Sequence, residues 1–124
     1  MTTTYNTPFG KMDCYENYLI FSLAKTGVNK DSAKQIMKYA YDHYQKRKFV
    51  FISNRKFVSG VKPEAYKAIN SKYTLGFAIV SNDINVKQEA LNEQLFFEGS
   101  FSFFTTEAEA IDWANTVVKS ENLA

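Results

Sequence analysis

Short runs of strand-forming residues alternate along the chain with stretches in which apolar positions recur every three or four residues. Phe9 to Cys14 and "NYLIFSLA", Asn17 to Ala24, read as two strands, with Glu16-Asn17 turning the chain into an antiparallel pair. Gly27 then breaks the strand, Asn29 is a good N-cap, and Asp31 puts negative charge in a first helical turn. Ala33, Ile36, Met37, Ala40 and Tyr44 follow at the spacing of an amphipathic helix ending near Arg47.

"KFVFIS" is a continuous apolar run, as expected of a strand covered on both faces. "KPEAYKAIN" predicts a short helix with Pro63 in its first turn, where a missing N–H costs nothing. "TLGFAIVSN" predicts a second buried strand, and Asn82 or Asp83 caps a third helix whose inner face is expected to carry Ile84, Leu91 and Leu95, with Gly99 as its stop. "SFSFFT" predicts a third buried strand. Thr106 with Glu109 three residues on is a capping box, opening a last helix with an inner stripe of Ala110, Ile111, Ala114, Val117 and Val118 beside Trp113.

The predicted order is β-β-α-β-α-β-α-β-α. It implies an α/β fold: a single open mixed sheet of about five strands, antiparallel in its first pair and parallel through the crossovers, with about four helices. One domain is expected over residues 1–124, with a flexible arm at 1–8 and a frayed tail at 119–124.

Composition adds two points. The aromatic fraction is 16%, with 11 Phe and 8 Tyr, more than a core of this size needs, so exposed rings and self-association are expected. The net charge of +2 is no nucleic-acid footprint, and the densest basic cluster, Lys46-Arg47-Lys48, complements a helix C-terminus. The N-terminus has no signal-peptide pattern and no apolar run reaches membrane-spanning length, so a cytoplasmic location is expected.

Candidate chemistry is sparse. One cysteine, Cys14, and one histidine, His43, allow no disulfide framework and no zinc cluster, and they form a nucleophilic pair only if the fold joins them. No P-loop, GxGxxG or GxSxG occurs, so no cofactor is expected. Glu107, Glu109 and Asp112 read as a solvated helix face. One pattern stands out. Two buried strands end in the same dipeptide, Ser53-Asn54 and Ser81-Asn82, and the third ends in Thr105-Thr106. In a parallel sheet these groups, with Arg55 and Lys56, gather at the carboxyl rim, where open α/β sheets bind ligands. Ser53, Asn54, Arg55, Ser81 and Asn82 are therefore the candidate ligand rim. The same residue types also cap helices and make turns with no ligand at all.

This element order, "GFAIVSND" before the third helix, "FSFFTTEAEAIDWA" at the end, and "FVFISNR" before a proline-started helix together resemble the STAS-like, SpoIIAA-like family of small bacterial domains related to anti-sigma-factor antagonists, in an uncharacterised subgroup. The likeness runs from about Phe9 to Val118. It implies a non-catalytic binding or interaction domain, with a homodimer and an unknown protein partner. In the antagonists a serine in an Asp-Ser-Ser-Gly-like motif is phosphorylated. Here "FVSG" aligns Ser59 and Gly60 with it but puts Phe57 where the aspartate belongs and Val58 where a small polar residue belongs. Ser59 is thus the candidate phosphoacceptor of an alternative reading, a partner-switching phosphoprotein. A second alternative is a carrier of a small anionic or apolar ligand, including a lipid.

Overall fold

Burial of apolar rows on both faces of the central strands drives the chain into one six-stranded sheet, in the spatial order β1-β2-β3-β4-β5-β6. The computed structural model describes residues 2–24, 27–58 and 60–123. β1 (Thr3–Thr7), β2 (Gly10–Cys14) and β3 (Tyr18–Leu23) form an antiparallel meander. β4 (Phe49–Asn54), β5 (Thr74–Val80) and β6 (Ser100–Phe104) then add in parallel. The open mixed sheet is as expected, with one strand more.

The extra strand is β1, which occupies the residues expected to be a flexible arm. Its composition, Thr-Thr-Tyr-Asn-Thr, has no alternating apolar row, and this edge strand presses a single, partly buried apolar residue against the core. That residue is Tyr5, whose ring lies 6.0 Å from Tyr39 and whose hydroxyl hydrogen-bonds His43 Nδ1 at 2.9 Å. The tight β1–β2 turn depends on two residues. Thr7 Oγ1 accepts the amides of Phe9 and Gly10, both at 3.1 Å. Gly10 sits at φ +153°, with the Ser22 carbonyl oxygen 2.3 Å from where a Cβ would lie. Only glycine fits there.

α1 (Lys30–Tyr44) begins as expected at Asn29, which exchanges capping hydrogen bonds with Ser32 at 2.9 Å each way. It ends three residues before Arg47, where Gln45 and Lys46 take positive φ angles of 50° and 70°. Tyr44 is fully buried, stacks on Phe49 at 4.3 Å, and its hydroxyl reaches the carbonyls of Tyr15 and Tyr18. The expected second helix forms as a 3-10 helix, Pro63–Ala68. α2 (Ile84–Glu93) is capped by Asp83, whose side chain accepts the Asn85 amide at 2.8 Å. A short 3-10 helix, Gln94–Phe96, follows it. α3 (Glu107–Leu123) carries on through the tail expected to fray, where Lys48 pairs with Glu121.

The helices divide between the two faces of the sheet. α1, the Pro63–Ala68 helix and α2 pack with Phe21, Phe49, Phe51, Phe77 and Ile79. α3 alone covers the other face, setting Ala110, Ala114 and Val118 against Ile20, Val50, Ile52, Ala78 and Val80. Ile111, Val117 and Trp113 are partly buried beside that stripe.

The expected inner face of α2 is inverted. Val86, Ala90 and Glu93 are buried, whereas Ile84, Leu91 and Leu95 are 63%, 52% and 84% exposed. At 100° per residue Ile84 and Leu91 lie on the side of the α2 axis opposite Val86, Ala90 and Glu93, and Leu95 follows in the 3-10 helix. A charged residue on the inward triplet hides it from a search for large apolar side chains.

Candidate functional site

The two-residue period of a strand splits each Ser-Asn pair between the faces of the sheet. On β4, Phe49, Phe51 and Ser53 share one face with the Arg55 that follows, and Val50, Ile52 and Asn54 share the other. Ser53 and Arg55 are 3% and 2% exposed, beneath the Pro63–Ala68 helix and α2. Asn54 turns to the α3 side, where its Nδ2 donates to Glu107. The Arg55 amide donates to the Val80 carbonyl at 2.9 Å, and the Ser81 amide to the Phe104 carbonyl at 3.0 Å, so the sheet continues to the ends of these strands.

Arg55, expected to lend positive charge to the rim, is buried and neutralised. Its Nη1 and Nη2 donate to the two oxygens of Glu93 at 2.6 and 2.9 Å, the fork geometry that makes such pairs strong. Nε donates to Ser53 Oγ at 3.1 Å, and Nη1 also to Glu89 at 3.2 Å. The Tyr66 hydroxyl donates to Glu93. Burial and then the Glu93 charge push the Tyr66 phenol above its ordinary range. Glu89 in turn accepts the Gly60 amide at 3.1 Å, tying the loop after β4 to α2.

Glu93, Glu89 and Tyr66 did not stand out in the sequence. The signal was there: a glutamate in register with Val86 and Ala90, and an arginine in register with Phe51 and Ser53. Two opposite charges each on an inward row point to each other.

Beneath this network lies a small apolar cavity of about 50 Å³, lined by Phe21, Ile36, Phe51, Ser53, Arg55 and Tyr66 among others. Val28 and Val61 form a parallel bridge over it, and the Lys62 amide donates to the Val28 carbonyl at 2.9 Å.

The rim proper is a separate cleft of about 430 Å³ at the carboxyl ends of β4, β5 and β6, within the size range of small-molecule sites. Asn54, Lys56, Ser81, Asn82, Thr105 and Glu107 line it, together with Arg55, whose guanidinium is turned away. The chain leaves β5 for α2 on one face and leaves β6 for α3 on the other, and a crevice opens where successive connections diverge. Of the candidate rim residues, Asn54, Ser81 and Asn82 come together here, while Ser53 faces the cavity. Ser81 also has a capping role, since its hydroxyl accepts the Asp83 amide at 3.1 Å. At α3, the Glu109 amide donates to Thr106 Oγ1 at 3.3 Å and the Thr106 hydroxyl to Glu109 at 2.9 Å. The hydroxyls of Thr106 and Thr105 hold the Glu109 carboxyl below its ordinary range.

Cys14 and His43 engage different partners. Cys14 is 1% exposed, and burial, with the Asp13 charge second, pushes its thiol up to about 12. His43 bonds to Tyr5, and burial, then the Arg47 charge, lowers its pKa. Among the described residues no group of three or more His, Cys, Asp or Glu could hold a metal ion, and no helix is long and apolar enough to cross a membrane. Ser59, the candidate phosphoacceptor, lies outside the described residues.

No family model matches the chain, and no curated protein matches it. Among solved structures it is similar to an uncharacterised protein of the DUF3478 family from Shewanella loihica PV-4, described as having a SpoIIAA-like fold. The identity is 15%, the TM-score is 0.58, and the match covers 92% of each chain. The chain therefore has a SpoIIAA-like fold, as its strand and helix order and its closing aromatic strand, threonine cap and Ala-Trp helix imply.

Proposed function

We propose that this protein is a non-catalytic interaction domain that acts as a homodimer and binds a protein partner through α2. The observation that carries this reading is the exposed apolar pair Ile84 and Leu91, opposite the buried side of α2, followed by exposed Leu95 and Phe96 in the 3-10 helix at its end. A helix that is apolar on its outer side leaves that surface in water unless something covers it. The absence of catalysis is supported by the way the buried polar groups consume one another. Arg55, Glu93, Tyr66 and Ser53 are each bonded within the fold. The test is capture of tagged protein from its own cells, compared with a Leu91→Lys/Leu95→Lys variant. A partner recovered with the native protein and lost with the variant is expected. An identical set of proteins from both overturns the reading.

The rim cleft favours a second reading, a carrier of a small anionic molecule. Lys56 is exposed at its mouth, and the starts of α2 and α3 flank it. Native mass spectrometry of freshly purified protein tests this. A bound species lost in Lys56→Glu supports it, and a bare chain counts against it.

A further inference from the structure

β6 is the last strand of the sheet, and among the described residues no strand pairs with its outer side. Unpaired edges are templates for further pairing, and natural sequences blunt them with charge, proline or a bulge. β6 has none of these. Its sequence is Ser-Phe-Ser-Phe-Phe, and its register with β5 runs unbroken from Ser100 to Phe104. Phe101, Phe103 and Phe104 are each only partly buried. The opposite edge, β1, is Thr-Thr-Tyr-Asn-Thr and offers no comparable apolar row.

The direction of the backbone groups fixes how this edge can pair. The Phe104 carbonyl accepts the Ser81 amide and so points inward to β5. By alternation Ser102 and Ser100 also point inward, and Phe101 and Phe103 turn their N–H and C=O groups to the free side. Two strands related by a two-fold axis run antiparallel, and their outward residues must face each other as hydrogen-bonded pairs. An axis at Ser102 satisfies this over the whole strand. Phe101 then lies opposite Phe103 of the second copy, and Ser102 opposite its own counterpart. Phe101-Ser102-Phe103 reads the same in both directions, so the strand is complementary to itself. No charge meets a like charge, and an aromatic pair forms on each side of the axis.

Resting on the interaction reading above, we infer that a second copy of this chain docks on the β6 edge, joining the two six-stranded sheets into one continuous sheet with its two-fold axis at Ser102. The axis is a non-hydrogen-bonded position, where facing Cα atoms lie about 4.5 Å apart. That distance falls within disulfide range.

The test is a Ser102→Cys variant, almost isosteric with the native residue, oxidised and run on a non-reducing gel. Buried Cys14 keeps the background low, and Asn115→Cys, exposed on α3, is the control. The expected result is a discrete cross-linked dimer for Ser102→Cys alone, and half the apparent mass in light scattering when Ser102→Lys sets two cations against each other. A Ser102→Cys protein that stays monomeric, or cross-links no more than the control, overturns the inference. So does a ladder of higher species, which would mean head-to-tail edge pairing. Leu91→Lys/Leu95→Lys should keep the dimer, so failure of the α2 reading and failure of the β6 reading give different results.

Discussion

Arg55 and Glu93 meet through two parallel hydrogen bonds, 2.6 and 2.9 Å long, at positions almost wholly shielded from water. Removing Glu93 takes away both short bonds of this fork and leaves the buried Arg55 guanidinium with Glu89, at 3.2 Å, as a weaker carboxylate partner. Glu93→Ala is therefore expected to destabilise the protein by about 3–5 kcal/mol, read as a lower midpoint in urea unfolding. Replacing both, as Arg55→Met with Glu93→Leu, removes the buried guanidinium together with its main partner and should cost markedly less. Equal losses in the single and double variants would show that the pair is not the source of the effect.

The β1–β2 turn gives a second expectation. Gly10→Ala places a Cβ against the Ser22 carbonyl oxygen and asks an alanine to adopt φ +153°. Strain of this kind costs on the order of 1–3 kcal/mol. The midpoint of thermal unfolding should fall for Gly10→Ala. It should fall less for Gly60→Asn, since Gly60 (φ +63°) has nothing within 4 Å of its Cβ position and asparagine bears that conformation better than most residues.

The two faces of α2 predict opposite outcomes for its apolar residues. Leu91→Lys changes a residue that is 52% exposed and should alter stability by no more than about 0.5 kcal/mol. Val86→Ala empties space in the core and should cost about 1–3 kcal/mol. Denaturant titration of both variants tests the inversion directly. A larger loss at Leu91 would return the outer row to the core.

α1 and α3 were legible because apolar residues recur at helical spacing along their buried sides, with Asn29 and Thr106 marking the starts. α2 was legible as a helix but not in orientation. Its bulkiest residues serve the surface, and its inner row ends in a glutamate that only the three-dimensional meeting with Arg55 explains. β1 was hidden because a polar edge strand carries no period-two signal. Of the rim, parallel strands with polar ends foretold the cleft formed by Asn54, Ser81 and Asn82. They did not foretell that the pleat would send Ser53 and Arg55 to the other side of the sheet.

Alkaline pH should weaken the fold through Cys14. Its thiol is raised from an ordinary 9.0 to about 12, by burial first and the Asp13 charge second. The folded protein therefore holds this proton over a range where the unfolded chain releases it. The sign follows: the contribution is fully present below pH 9 and is lost as pH rises from 9 toward 12. The phenols of Tyr41, Tyr44 and Tyr66 are also raised, by burial first in each case, and act in the same direction at higher pH. Unfolding free energy measured between pH 8 and pH 10.5 should decline in the native protein and decline less in Cys14→Ala. The same burial makes the native thiol inert, so a thiol reagent at pH 8 should label Cys14 only as fast as the chain opens. Rapid stoichiometric labelling of the folded protein, or identical pH slopes in the two proteins, would contradict the buried, protonated state of Cys14.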